Sequence, residues 1–165
     1  VLMGTGDQHY HNLFSQMVDE YPQQAATFLT FNAPLASRIY AGSDMYLMPS
    51  RVEPCGTSQM IAMHYGSVPI VRATGGLADT VLDADPAAGQ GNGFVFDSYD
   101  RWMLFAAIVR AVETFKHPDV WRQLQLQGMR ADFSWEQSAD RYVDLYRRAM
   151  ASRIPRPGLE TYRVP

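Results

Sequence analysis

The sequence holds one cysteine, Cys55, among 165 residues. A single thiol cannot close an intrachain disulfide, and no zinc cluster can be built on thiolates. Long apolar runs are missing as well. None approaches the roughly 20 residues needed to span a bilayer, and no stretch has the pattern of a secretory leader. Nor is there an excess of basic charge: 14 Lys and Arg against 17 Asp and Glu give a formal net charge of −3. That balance argues against nucleic acid or an anionic membrane as the main partner. The densest basic run, Arg147-Arg148, is too short to track a phosphate backbone. A local anion site needs only a few donors and stays open. A reducing compartment, cytosol or plastid stroma, suits the lone thiol.

What is present suits a globular domain. The hydrophobic fraction is 47% and the charged fraction 19%, and the length supports one domain with a core. The chain opens on Val1-Leu2-Met3-Gly4, inside an apolar run, and reads as a piece of a longer polypeptide. Short apolar runs at Val1 to Met3, Thr27 to Phe31, Met45 to Met48 and Val68 to Val71 read as strands buried on both faces. Candidate helices lie between them, at His11 to Tyr21, Pro34 to Gly42 and Thr57 to Tyr65. Strand, helix, strand in repetition predicts an α/β fold with a parallel sheet. Asp83 to Gly93 is acidic, rich in Ala, Pro and Gly, and nonperiodic, so a surface loop is expected. Phe94 to Phe96 is a candidate edge strand. Three helices should follow. The first has an inward stripe of Leu104, Ile108, Ala111, Val112 and Phe115. The second runs from about Pro118 to Ala131. The third opens with Ser134 and Gln137, spaced as a capping box, and carries the stripe Trp135, Ala139, Tyr142, Val143 and Tyr146. Residues 151–165 contain several prolines and are expected to be an extended tail.

Several polar patterns compete for the chemistry. Gly4-Thr5-Gly6 follows a strand, but the third glycine of a dinucleotide fingerprint would fall at His9. A tight turn is the better reading, and a NAD-linked oxidoreductase fails on that pattern. His9 and His11 are two apart, whereas helical metal ligands want i, i+4 spacing. His64 and His117 are isolated and suggest no catalytic triad. No metal is implied.

The stretch from Pro49 to Met60 is more informative. It joins a buried strand to a helix, and ligands of open α/β sheets bind at the carboxyl ends of strands. Gly56 permits close backbone approach. The free N–H groups of Thr57 and Ser58 at the helix start suit a phosphate. Glu53 would be repelled by that phosphate, so it more plausibly faces sugar hydroxyls. Thr74-Gly75-Gly76 forms a second turn after a strand, where N–H groups can converge on an anion. Read from pattern alone, each turn is equally an ordinary loop leading into a helix.

Taken together, the run Tyr40 to Gln59, with Glu53-Pro54-Cys55-Gly56 at its heart, and the run Tyr65 to Val81, with Thr74-Gly75-Gly76-Leu77, resemble the C-terminal domain of glycogen and starch synthases. Asn92-Gly93-Phe94-Val95-Phe96 and Phe133-Ser134-Trp135 resemble later landmarks of that family. The resemblance covers residues 1–150. It implies a Rossmann-like three-layer domain, the C-terminal half of a GT-B fold truncated at its N-terminus. It implies retaining transfer of glucose from ADP-glucose to an α-1,4-glucan, in the bacterial cytoplasm or a plastid stroma. At matching positions, Glu53 would orient the donor glucose, and Cys55 and Gly56 would offer backbone contacts. Thr57 and Ser58 would open the helix over the diphosphate. Phe31 would lie against the adenine, its alternative being a core aromatic. Thr74, Gly75 and Gly76 would complete the pocket.

Two departures stand out. Thr57 and Ser58 replace the usual Leu-Thr, and Val52 stands where an aromatic is common. The family's Arg and Lys that grip the diphosphate would lie on a strand-helix unit before Val1, and its N-terminal domain is also not in this sequence. Two charge-assisted hydrogen bonds at about 1.5–3 kcal/mol each are worth on the order of a hundredfold to ten-thousandfold in ADP affinity. The chain alone is therefore expected to be inactive. The alternatives are a GT-B enzyme using a UDP-sugar and a non-catalytic nucleotide-binding fragment. Many UDP-sugar enzymes carry a second Glu eight residues after the first. Here that position is Ile61.

Overall fold

The computed structural model describes residues 1–152. The chain divides into two compact units, Val1–Ala131 and a second beginning at Asp132. In the first unit β1 (Leu2–Met3), β2 (Thr27–Phe28), β3 (Met45–Met48), β4 (Val68–Arg72) and β5 (Phe94–Phe96) alternate with helices. The helices are α1 (Gln8–Glu20), α2 (Ala33–Gly42), α3 (Ser58–His64), α4 (Gly76–Thr80), α5 (Arg101–Phe115) and α6 (Pro118–Arg130). The second unit holds α7 (Trp135–Ala151). The expected tail beyond Ser152 lies outside the described residues. No helix among the described residues is long and apolar enough to cross a membrane.

Local chemistry explains where the helices begin. The Asp7 carboxylate accepts from His9 N at 2.7 Å, and the Asn32 side chain from Leu35 N at 3.0 Å. Asp100 accepts from Trp102 N at 2.8 Å, and Ser134 from Gln137 N at 3.4 Å. Each cap satisfies an N–H left without a helical partner, at about 1 kcal/mol.

All strand pairings are parallel, but the strands form two sheets. β1 pairs with β2, while β3, β4 and β5 form a second sheet with β4 central. β1 and β3 each keep one unpaired edge, and a groove of about 930 Å³ is lined by Leu2, Met3, Phe14, Ile39, Met45 and Tyr46, among others. Burial on both faces, expected of four strands, holds for β4 alone, where Val68 to Val71 are all buried. β1 and β3 are only half-buried, because each has a neighbour on one side only. β2 stops at Phe28, short of the expected Phe31.

The core lies on the two faces of β4. Val68 and Ile70 pack with Phe94, Phe96, Ala107, Ala111, Trp121 and Leu124, under α5 and α6. Val71 packs with Met63, Leu77 and Val81, under α3 and α4. Period-two alternation along β4 thus feeds two apolar layers, giving helix, sheet, helix in that half. The inward stripe of α5 differs from expectation. Ala107 joins it, while Val112 is 42% exposed. Phe115 instead meets the Trp121 ring edge-on at 5.1 Å.

The stretch 83–93 is a loop with a stitched interior. Asp83 bridges to Gly93 and Asp85 to Gln90. Buried Asn92 accepts from Leu82 N at 2.7 Å and donates to Thr80 O at 3.1 Å. Arg110 reaches Asp83 Oδ2 at 2.9 Å and Ala84 O at 3.1 Å.

Candidate functional site

β3 and β4 run parallel in direct register, Met45 with Val68 through Met48 with Val71. Their carboxyl ends therefore release two turns side by side, the loop 49–57 and the turn 73–75. Glu53, Cys55, Gly56, Thr57 and Ser58 stand on the first, and Thr74, Gly75 and Gly76 on the second. The structure brings these eight residues together.

The contact between the turns is backbone on backbone. Gly76 N donates to Glu53 O at 3.3 Å. A Cβ on Gly76 would sit 1.5 Å from Cys55 O, and one on Gly75 would sit 1.9 Å from Glu53 O. No side chain fits at either place, and Gly75 also has φ +47°, a region costly for other residues. The two glycines thus let the Glu53 turn seat on the α4 turn.

Buried Gln59 adds a second link. Its Nε2 donates to Gly56 O at 2.9 Å and to Thr80 Oγ1 at 3.0 Å. The Thr80 hydroxyl donates on to Gly76 O at 2.6 Å. Arg72, the last residue of β4, supplies a third. Its Nε donates to Ser50 O at 2.9 Å, and a terminal nitrogen donates to Arg51 O. Sequence reasoning did not single out Gln59, Thr80 or Arg72. Gln59 had a readable signal, a lone polar residue on the helix face that also carries Met63. Arg72 had none, since its partners are carbonyls about twenty positions upstream.

Individual side chains are placed as follows. Glu53 is half-buried, while Pro54, Cys55 and Thr57 are exposed. The Ser58 hydroxyl is turned toward Met48 Sδ at 3.2 Å. Phe31 belongs to the other sheet's loop, between β2 and α2, and is 78% exposed. Among the described residues it belongs to neither core cluster. Beneath the first turn, Tyr46 meets Tyr40 edge-on at 5.4 Å. Burial pushes the Tyr46 hydroxyl up to about 12, partly offset by the Ser58 hydroxyl. Val52 is 73% exposed, and Ile61 on α3 is 43% exposed. Among the described residues no three His, Cys, Asp or Glu side chains gather as a metal site would require.

A parallel sheet with glycine turns at paired strand ends is the general ligand-binding arrangement of open α/β folds, and the comparisons specify the class. Residues 1–123 match the model of the family described as glycosyl transferases group 1. The chain belongs to that family. It is 52% identical over 151 residues to the glycogen synthase of Gloeobacter violaceus, covering 92% of this chain and 33% of that protein. It is similar in structure to the catalytic domain of starch synthase IV from Arabidopsis thaliana, solved with ADP and acarbose. There the TM-score is 0.75 at 35% identity, over 90% of this chain and 31% of that one. A sucrose-phosphate synthase from Thermosynechococcus elongatus matches with a TM-score of 0.62 at 25% identity, over 91% of this chain and 38% of that one. The fold is the α/β fold of GT-B glycosyltransferases. The chain spans about a third of the length of the curated relatives it matches.

Proposed function

We propose that this chain is the donor-binding part of an enzyme that moves glucose from ADP-glucose to the non-reducing end of an α-1,4-glucan. The observation that carries the reading is the seating of the Glu53 turn on Gly75 and Gly76, in a chain half identical to a glycogen synthase. The bond from the anomeric carbon to the diphosphate breaks, and a bond from that carbon to the acceptor hydroxyl oxygen forms on the same face. The acceptor proton passes to the departing diphosphate, so ADP leaves and configuration is retained. The protein's task is to hold fixed donors where charge grows on ADP. Glu53 accepts hydrogen bonds from the donor sugar's hydroxyls. Thr57, Ser58 and Thr74 border the diphosphate, Cys55 and Gly56 the sugar, and Phe31 the adenine. This chemistry needs no metal. The compartment that suits it is the bacterial cytoplasm or the plastid stroma.

The remaining donor contacts come from polypeptide outside residues 1–165. A further strand of the same enzyme fits between β1 and β3, where two free parallel edges border one groove. It would carry the cations that grip the diphosphate. A partner domain of the same protein closes the cleft and brings the glucan. The isolated chain should therefore transfer no glucose.

The deciding experiment is an NMR titration of the chain with ADP, UDP and NAD at millimolar concentration. Expected are weak shifts at Phe31 and Gly56 to Ser58 that favour ADP. A preference for UDP would move the reading to a UDP-sugar enzyme. Shifts elsewhere with no base preference would leave a non-catalytic fragment.

A further inference from the structure

The loop 49–57 has no strand or helix of its own, yet its carbonyls are held at defined places. Arg72 does much of that holding. Besides Ser50 O and Arg51 O, its guanidinium reaches Asp97 O at 3.3 Å, just past the end of β5. It also lies 5.8 Å from the centre of the Tyr99 ring. One planar cation therefore joins the carboxyl ends of β3, β4 and β5. Among the described residues its charge meets carbonyl dipoles and an aromatic face, and it takes part in no ion pair.

We infer that Arg72 is the positioning residue of the Glu53 turn. By fixing the carbonyls of Ser50 and Arg51, it sets the direction in which the chain reaches Glu53, whose own carbonyl then seats on Gly75 and Gly76. The inference rests on the donor-site reading for its consequence, since a fixed Glu53 serves the sugar and not the nucleotide. Three acceptors arriving from two loops require a rigid fork of N–H donors. A lysine ammonium offers a single point charge with no such fork, so Lys cannot replace this arginine.

The test compares the wild-type chain with Arg72→Lys and Arg72→Met by NMR, in two arms. Without ligand, exchange of the Gly76 amide, which donates to Glu53 O, should rise about tenfold in both variants as the turn opens locally. The amides of β4 should stay protected. With ligand, wild type should bind ADP-glucose more tightly than ADP. Both variants should lose that margin, about tenfold or 1.4 kcal/mol, while ADP affinity stays within about twofold. Unchanged Gly76 exchange in Arg72→Met overturns the inference. So does an equal loss for both ligands, or loss of protection throughout β4, because Arg72 would then serve the phosphates or the whole fold. Full rescue by Arg72→Lys also overturns it. If the wild-type chain binds neither ligand, the exchange arm decides the role of Arg72 by itself, and the donor-site reading is decided by assaying the intact enzyme with ADP-glucose.

Discussion

No residue from Val1 to Cys55 is buried, whereas every buried residue among those described lies between Gly56 and Gly128. Both stretches contain parallel strands joined by helices, and the first is the better capped: Asp7 and Asn32 cap α1 and α2, whereas in the second only α5 has a side-chain cap, from Asp100. The difference is in neighbours. β4 has a strand on each side and helices over each face, so the side chains of Val68 to Val71 lose almost all contact with water. β1 and β2 have only each other, with α1 packed on β2. Local sequence is enough to make a strand, but burial needs a second and third element in place. The candidate site straddles this contrast. Glu53 and its glycine support grow from the packed sheet, while Phe31 extends from the sparse one.

The sharpest way to break the comparison is a matched pair of truncations. Phe94 is 1% exposed and stacks on Trp121 at 6.3 Å, whereas Phe28 is 40% exposed. Phe94→Ala should cost about 3–5 kcal/mol and Phe28→Ala less than about 1 kcal/mol, read by urea unfolding. Equal losses would show that the two halves share one core. A second probe is Tyr46, on the strand that borders both the groove and the packed sheet. Its folded value of about 12 exceeds the ordinary value near 10. Between those values the unfolded chain has lost the proton that the folded chain keeps. Stability from this group is therefore complete below pH 10 and falls as pH rises toward 12, by roughly 2–3 kcal/mol. Tyr46→Phe should remove that slope in alkaline unfolding curves. The smallest effect belongs to the surface pair Lys116–Glu113, with side chains 60% and 61% exposed. Glu113→Gln should shift the unfolding midpoint by less than about 0.5 kcal/mol, and the shift should vanish in high salt.

Much of this was legible in the sequence for physical reasons. Ser134 caps α7 as its spacing to Gln137 suggested, whereas Asp7, Asn32 and Asp100 act over equally short distances without having been singled out, and α1 starts at Gln8, ahead of the expected His11. Phe94 to Phe96 ended the sheet as the apolar run suggested. The meeting of the Glu53 and Gly75 turns followed from two strands each handing over to a helix. What escaped the sequence was long-range. Nothing in four apolar runs says that the sheet divides between β1 and β3. The loop 83–93 looked featureless because its order comes from Asn92 and from Arg110, 26 or more positions from its partners. Arg72 was unreadable in the same way, since it bonds to backbone carbonyls, which carry no residue signature. At the site, residue types were readable but bond directions were not, as the Ser58 hydroxyl turned toward Met48 shows.

Cys55 is the one thiol in the sequence and is exposed, while its carbonyl lies where Gly76 has room for no Cβ. A maleimide dye placed there needs no mutagenesis and labels one position only. Because the two turns touch through main chain, any tilt of the second is passed to the first without a side chain to absorb it. Emission from that dye would therefore follow the whole pocket wall, turning a packing constraint into a built-in optical gauge.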